Sequence, residues 1–359
     1  MSIGRTYHRN AFLKTASGRE LRSMDINRTM TDIFDFFARN IGDMWKKDSA
    51  PPPDVSGMDL SRSITESDIA SPEAFYACPG DVPEVKFTGT QRLPLLDIVR
   101  GKFESPVEPV HDCNRNVYFQ HYRLRNGKPG RPVVVMINGL YVDTNFYFDW
   151  WCWRFAAWGM DSVLITMPYA FERVPENSYG GQMTMLPDTM WTLMVHRQAF
   201  MDLHMLVNWL KSEGFGPVGT FGVSYGALMS GIYICQADNA DFTIMGMPPV
   251  DFVEVLGGWD FADKLRERES RGEVTMLTDP RVAKIFNMCD MTPRVPLRNI
   301  FIGEGLFDHL VTPASIERTA EKWGGLPWLK KYPTGHINTF VFNLRFIADA
   351  RKFVHSEIV

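Results

Sequence analysis

The sequence predicts an α/β protein with a mostly parallel, twisted sheet flanked by helices. Short apolar runs recur along the C-terminal two thirds of the chain, and helix-forming segments separate them. Loops that carry polar residues follow several of these runs, and Gly and Pro mark their turns. Strands that alternate with helices form parallel sheets, whose loops at the carboxyl ends open on one edge. We therefore expect residues that are distant in sequence to meet there.

Residues 1–110 are predicted to form a helical and irregular N-terminal extension. Ile33, Phe37 and Ile41 recur at helical spacing, and a run of three prolines ends this helix. The stretch 49–72 is polar and rich in Pro, Ser and Asp, which indicates an irregular arm.

Residues 111–359 are predicted to form the sheet domain. An alternating strand begins at Val117, and the run Pro132–Ile137 is the most β-prone in the chain. The segment from Pro187 to Glu213 predicts a long helix, which Gly214 ends.

Ser224 is the candidate nucleophile. It lies in the run Gly222-Val223-Ser224-Tyr225-Gly226, after a short apolar strand and before a helix-forming segment. This context is typical of a nucleophile elbow, a sharp turn that projects the serine hydroxyl from the backbone. The N-terminal N–H groups of the next helix then face a developing oxyanion. Because the short motif is common in loops, the strand–turn–helix context is what predicts a serine hydrolase.

Two later loops contain an acid and a base in the order Ser, Asp, His. Asp308 stands in the loop after the apolar run Asn299–Gly303, and His336 follows the last predicted strand, Trp328–Tyr332. We expect Ser224 to attack, His336 to take and return its proton, and Asp308 to fix the imidazole tautomer.

Alternatives exist for these positions. Glu304 and His309 flank Asp308, but Glu304 is close to the strand end and His309 does not follow a final strand. The non-catalytic alternatives are that Asp308 caps its loop and that His336 is a surface histidine. His196 and His204 lie on one predicted helix and are interpreted as a helix-surface pair, because no cluster of carboxylates or cysteines accompanies them at metal-ligand spacing.

The backbone N–H groups of Leu140 and Tyr225 are the candidate oxyanion donors. Leu140 follows Asn138-Gly139 at the end of the most β-prone run, where the glycine permits a turn. Tyr225 follows the candidate nucleophile. The alternative is that Asn-Gly is simply a tight turn.

Between Met247 and Pro296 the chain is longer than one crossover helix requires. We predict a small cap at about residues 250–295, near the substrate pocket. Its charged run Asp263–Glu269 is typical of a solvated helix face.

Composition excludes several functional classes. The net charge of −4 provides no basic surface for nucleic acid or an anionic membrane. Five cysteines without C-x-x-C spacing favour a reducing compartment and no structural zinc. No apolar run approaches a membrane span, and the first ten residues lack the apolar core of a signal peptide. We expect a cytoplasmic enzyme of a small-molecule substrate, without cofactor; a homo-oligomer is compatible with these features.

The sequence resembles the α/β-hydrolase superfamily and, within it, the alpha/beta-hydrolase-domain-containing protein 18 type and its bacterial relatives. The resemblance covers about residues 115–359 and implies an α/β-hydrolase fold with a Ser-His-Asp triad. One departure is Asn138, which stands where the family pattern has histidine. The stretches that carry the resemblance are Asn138-Gly139 with the aromatic helix start Asn145–Trp151, Met167-Pro168-Tyr169, Leu206–Gly219 before the elbow, and Gly335-His336-Ile337 with Phe340.

These features predict hydrolysis of a carboxylic ester through an acyl-enzyme. A serine nucleophile argues against branches that require a carboxylate nucleophile. An acyltransferase, a thioesterase and a carbon–carbon bond hydrolase use the same triad and stay open, whereas a non-catalytic binding protein would be expected to lack a triad member.

Aromatic residues near the predicted site favour a neutral apolar or aromatic ester, although they are also suited to the core between helix and sheet. These residues are Tyr141, Phe146, Tyr147, Phe148, Trp150, Trp151, Trp259 and Phe261.

Overall fold

The computed structural model describes most of the predicted sheet domain and part of the sequence before it. The described residues are 55, 64–140, 144, 146–176, 178–257, 260–273, 275–336 and 343–359, with the backbone alone for 260 and 261. The predicted helix around residues 33–45 lies outside this part of the chain, as do Ile337 and Phe340.

The described residues form a nine-stranded sheet with the order β1-β2-β3-β5-β4-β6-β7-β8-β9. Strands β4 to β9 pair in parallel, whereas β1, β2 and β3 form an antiparallel extension that joins the sheet through β5. The strands are β1 Lys86–Arg92, β2 Leu96–Glu104, β3 Asn116–Leu124, β4 Val133–Ile137, β5 Asp161–Ile165, β6 Val218–Val223, β7 Phe242–Gly246, β8 Ile300–Gly305 and β9 Trp328–Tyr332.

Helices connect and cover these strands. The α-helices are α1 Pro72–Phe75, α2 Phe146–Ala157, α3 Thr189–Ser212, α4 Tyr225–Gln236, α5 Phe252–Leu256, α6 Asp260–Ser270, α7 Pro280–Phe286, α8 Pro313–Lys322 and α9 Leu344–Phe353. Shorter 3-10 turns are Asp68–Ala70, Asp112–Asn114, Phe171–Arg173, Met288–Asp290 and Leu297–Asn299, and a π-helical turn, Val354–Ile358, follows α9. Among the described helices, none has both the length and the apolar character needed to cross a membrane.

Helices on both faces explain why the central strands are mostly apolar. Strands β4 to β7 are buried along almost their whole length. Val134 and Met136 contribute to the cluster that contains Trp151 of α2 and Phe346 of α9. Val135, on the opposite face, belongs to the cluster that contains α3 and α4. A strand covered on both faces needs apolar side chains in both directions, which gives continuous runs of Val, Ile and Leu.

The sheet begins earlier in the chain than the sequence indicated. Strands β1 and β2 precede the predicted boundary between residues 110 and 111, yet β2 pairs with β3 along its full length. Strand β2 has buried residues at positions 96, 98, 101 and 103, whereas every residue of the edge strand β1 is exposed. An exposed edge strand needs no alternating apolar pattern, so its sequence carries little strand signal.

Candidate active site

Ser224 lies in the turn between β6 and α4. Its backbone has φ 55° and ψ −122°, and its N–H donates to the carbonyl oxygen of Gly246 at 2.9 Å. A positive φ is unfavourable for a residue with a side chain and persists only where the surroundings enforce it. The predicted elbow residue therefore stands in a strained conformation, directly before the N-terminus of a helix.

Gly222 and Gly226 allow the tight turn around Ser224. A Cβ atom on Gly222 would overlap the backbone of Gly226, and one on Gly226 would overlap the carbonyl oxygen of Ile137. The first turn of α4 is thus packed against the end of β4. This contact brings the Asn138-Gly139 loop next to the elbow.

Asn138 is a buried residue that joins two loops at this edge of the sheet. Its Oδ1 accepts a hydrogen bond from the N–H of Met167 at 3.3 Å, and its Nδ2 donates to the carbonyl oxygen of Gly139 at 3.0 Å. The loop after β4 is thereby tied to the loop after β5. Leu140 lies two residues after Asn138 and is half-buried. Tyr225 is the first residue of α4, and its N–H has no acceptor within the helix.

Asp308 and His336 are in direct contact. Nδ1 of His336 lies 2.6 Å from Oδ2 of Asp308, and the exposed fractions of the two side chains are 9% and 1%. Oδ1 of Asp308 accepts the backbone N–H groups of Leu310 and Val311 at 2.8 and 2.9 Å. The N–H of Phe307 donates to the carbonyl oxygen of Thr334 at 3.0 Å, so the two loops are also joined through their backbones.

The three predicted triad residues follow strands of the same parallel array. Ser224 follows β6, Asp308 follows β8 and His336 follows β9, and these strands are consecutive in the sheet apart from β7. Carboxyl ends of parallel strands share one edge. The structure thus brings Asp308 and His336 together and places Ser224 at the same edge.

Glu304 occupies a different environment from Asp308. It is fully buried within β8, and its Oε1 lies 3.4 Å from Nζ of Lys331. Neither carboxylate oxygen accepts a hydrogen bond from the described residues. Burial raises the pKa of Glu304 to about 7. Its ion-pair partner is Lys331, whereas His336 is paired with Asp308.

His196 and His204 are buried, so their interpretation as a helix-surface pair was wrong. Nδ1 of His196 lies 3.1 Å from the hydroxyl oxygen of Tyr225, and Nδ1 of His204 lies 3.4 Å from that of Tyr233. Burial lowers the pKa of His196 to about 3, so that its imidazole is neutral near pH 7. Helix α3 connects β5 to β6 and is buried on most of its surface. Polar positions such as His196 and His204, which look solvent-facing from composition alone, are therefore buried.

A buried polar network that the sequence reasoning missed supports the loop after β5. Arg173 and Asp202 form a fully buried ion pair at 2.8 Å, and Arg173 also donates to the carbonyl oxygen of Asn114 at 2.9 Å. Oδ1 of Asn114 accepts the N–H of Tyr169 at 3.0 Å, where the backbone has φ 60°. These residues are scattered through the sequence, and no motif relates them.

The segment predicted as a cap contains α5, α6 and α7. Arg268 of α6 forms an ion pair with Asp188 at 2.7 Å, and the N–H of Met276 donates to Oγ1 of Thr189 at 3.2 Å. Asp188 and Thr189 begin α3 after the carboxyl end of β5. The segment therefore packs beside the edge that carries Ser224, and its role as a cap stays a prediction.

The aromatic residues proposed to line a pocket divide into different groups. Phe148 and Trp151 are buried against the sheet in the core, so the pocket interpretation was wrong for them. Phe146 and Tyr147 are 68% and 40% exposed. Tyr141, Trp259 and the side chain of Phe261 lie outside the described residues.

A groove of about 700 Å³ opens at the opposite edge of the sheet. Pro217, Asp241 and Asn299 line it, directly before the amino ends of β6, β7 and β8. Ser224, Asp308 and His336 do not line this groove. It is therefore separate from the candidate active site.

Comparison with known proteins agrees with this architecture. Residues 98–245 match the family described as alpha/beta hydrolase domain containing 18. An uncharacterized protein present in two strains of Mycobacterium tuberculosis is 30% identical over 163 residues, which are 45% of this chain and 37% of that protein. The match thus spans little more than a third of the length of the curated relative.

Solved structures share the fold at low sequence identity. Acetyl xylan esterase 1 from Thermoanaerobacterium sp. has a TM-score of 0.54 at 15% identity, over 84% of this chain and 93% of that one. An acetyl xylan esterase from Paenibacillus sp. has a TM-score of 0.54 at 14% identity, over 78% and 90% of the two chains. The chain therefore has the predicted α/β-hydrolase fold, and its residues 98–245 match the alpha/beta hydrolase domain containing 18 family.

Proposed function

We propose that this protein is a serine hydrolase that cleaves a carboxylic ester through an acyl-enzyme formed on Ser224. The observation that carries the proposal is the combination of a strained serine at an elbow with a buried Asp308–His336 pair at the same sheet edge. Strained backbone conformations cluster at functional sites, which favours a functional role for Ser224.

Each residue has a defined part in the proposed reaction. The hydroxyl oxygen of Ser224 attacks the ester carbonyl while Nε2 of His336 takes its proton, and the imidazolium returns that proton to the leaving alcohol. Asp308 binds Nδ1–H, which keeps Nε2 free of a proton in the resting state and stabilises the imidazolium. Water then repeats the sequence on the acyl-enzyme and releases the acid.

The backbone N–H groups of Leu140 and Tyr225 are proposed to bind the oxyanion of the tetrahedral intermediate. The close packing of Gly226 against Ile137 supports this assignment, because it brings the loop after β4 to the first turn of α4. Backbone donors held in this way need no reorganisation when charge develops on the oxygen.

The proposal is tested by reaction with a fluorophosphonate probe, followed by mapping of the labelled peptide. We expect a single label on Ser224 and none in the Ser224→Ala variant. Ser230 is the matched control, because it lies in the second turn of α4 and its hydroxyl donates to the carbonyl oxygen of Gly226 at 2.9 Å. Labelling of Ser230, or equal labelling of the wild type and the Ser224→Ala variant, would overturn the assignment.

A further inference from the structure

Two histidine–tyrosine pairs join helices α3 and α4. His196 contacts Tyr225, and His204 contacts Tyr233, each pair being 29 residues apart in sequence. Both helices follow parallel strands, so they run in the same direction and can repeat one contact after two turns. The pairs are chemically alike but differ in position, since Tyr225 directly follows Ser224 whereas Tyr233 lies near the far end of α4.

The His196–Tyr225 pair is enclosed by apolar and aromatic groups. The ring of His196 lies 4.9 Å from that of Phe286 and 6.0 Å from that of Tyr76. The Nε2 atom is buried and has no hydrogen-bond partner among the described residues. A leucine or phenylalanine would fill such a site without leaving a nitrogen unpaired, so packing alone does not explain a histidine here.

We propose that His196 is a positioning residue that fixes Tyr225, and through it the backbone N–H that follows the nucleophile. This inference rests on the proposed function of Ser224. The Tyr225 hydroxyl and the neutral imidazole of His196 share one hydrogen bond at 3.1 Å, which anchors the side chain of Tyr225 to α3. Because Tyr225 is the first residue of α4, anchoring its side chain also limits rotation of the Ser224–Tyr225 peptide.

This role predicts a specific kinetic effect. An oxyanion donor acts when charge develops on the carbonyl oxygen, so a misplaced donor lowers kcat and leaves substrate binding largely unchanged. Complete loss of one such donor costs about 10²–10³-fold in kcat. A donor that is displaced but still present is expected to cost about tenfold.

The decisive variant is Tyr225→Phe, which removes one oxygen and keeps the ring. We expect kcat for a p-nitrophenyl ester to fall about tenfold, KM to stay within about twofold, and a boronic acid that mimics the tetrahedral intermediate to bind about tenfold more weakly. The matched control is Tyr233→Phe on the same helix. In the wild type the Tyr233 hydroxyl also donates to Oδ1 of Asn239 at 2.6 Å, so the Tyr233→Phe variant is expected to be less stable. The kcat of this variant is expected to be unchanged.

A second pair of variants tests His196 itself. His196→Gln retains a hydrogen-bonding group near the Tyr225 hydroxyl, and His196→Leu does not. We therefore expect a higher kcat for the Gln variant than for the Leu variant, compared at a temperature at which both are folded. If Ser224 is labelled but Tyr225→Phe and Tyr233→Phe have the same kcat and boronate affinity, the inference is wrong and the proposed function stands. If Ser224 is not labelled, the proposed function fails first.

Discussion

His336 and Asp308 are joined through one carboxylate oxygen, while the other oxygen of Asp308 is held by its own loop. Nδ1 of His336 lies 2.6 Å from Oδ2, and the N–H groups of Leu310 and Val311 donate to Oδ1. The carboxylate therefore has a fixed orientation before substrate binds. A carboxylate held in this way can select one imidazole tautomer, since its Oδ2 faces Nδ1 of the ring.

Replacement of Asp308 by asparagine is expected to lower kcat by about 10⁴-fold, because an amide group can favour the wrong tautomer of His336. The fold should persist, since asparagine has nearly the same shape. Glu304→Gln and His309→Gln are the controls, and we expect each to retain activity within about fivefold, as expected for residues outside the reacting set. Ester hydrolysis at pH 7 measures all three variants. An equal loss in Glu304→Gln would assign the acid to that residue instead.

The sequence predicted the central strands well, for a physical reason. Strands β4, β6, β8 and β9 coincide closely with runs predicted from their apolar character, because burial on both faces imposes that character. Asp308 and His336 could be paired from sequence because both follow strands of one parallel array.

Other parts could not be predicted, since they depend on contacts between distant elements. Strand β1 is exposed along its whole length and has no alternating pattern. The burial of His196 depends on how α3 packs against α4, and the Arg173–Asp202 pair depends on how the loop after β5 folds back. A side chain's neighbours across such contacts have no fixed spacing in sequence, so periodicity cannot reveal them.

Gly226→Ala is expected to destabilise the protein by about 3 kcal/mol or more, because its new methyl group would meet the backbone carbonyl of Ile137 and backbone cannot move aside cheaply. Gly80→Ala is the matched control, since a Cβ there has no heavy atom within 4 Å. Urea unfolding followed by fluorescence measures the free energy of unfolding of both variants. Equal stabilities would show that the first turn of α4 does not depend on close packing against β4.

Glu304 is expected to make stability fall as pH rises. Burial raises the pKa of its carboxyl group from the ordinary value of 4.5 to about 7. Between these values the unfolded chain binds fewer protons at this site than the folded protein, so the free energy of unfolding decreases with increasing pH. The stabilisation of the folded protein by protonated Glu304 is fully present below pH 4.5 and is lost as pH rises through about 7.

The Glu304→Gln variant isolates this effect, because glutamine resembles the protonated acid. Relative to the variant, the free energy of unfolding of the wild type should fall by on the order of 3 kcal/mol between pH 4.5 and pH 8. Urea unfolding at a series of pH values measures the difference. Parallel pH profiles for the two proteins would contradict the raised pKa.

Asp202→Asn is expected to destabilise the protein by about 3–5 kcal/mol, since it leaves the guanidinium of Arg173 buried without its counter-charge. The control is Asp263→Asn, whose partner Arg266 is on an exposed surface of α6. A surface pair contributes at most about 1 kcal/mol, so this variant should unfold at nearly the wild-type urea concentration. Similar losses in both variants would show that the buried pair has no special role.

The substrate is expected to be a neutral ester with an apolar acyl or alcohol group. The loops at the edge that carries Ser224 are packed on buried apolar residues, including Met167 and Tyr169 after β5 and Met247 and Val250 after β7, which make the surroundings of this edge apolar without lining a pocket themselves. The nearby Arg173 is fully buried and paired with Asp202, so it is not available to bind a substrate carboxylate. Burying an unpaired charge in such surroundings is costly, and we expect anionic esters to have kcat/KM at least about 100-fold lower than neutral ones.

A panel of p-nitrophenyl esters of increasing acyl length, tested against anionic esters and peptide amides, measures this preference. The Ser224→Ala variant gives the background rate for each compound. Added alcohol or thiol acceptors show whether the acyl group passes to water or to another nucleophile, because diverted product identifies an acyltransferase. Higher kcat/KM for amides or anionic esters would contradict the expected preference for neutral apolar esters, even with the triad assigned correctly.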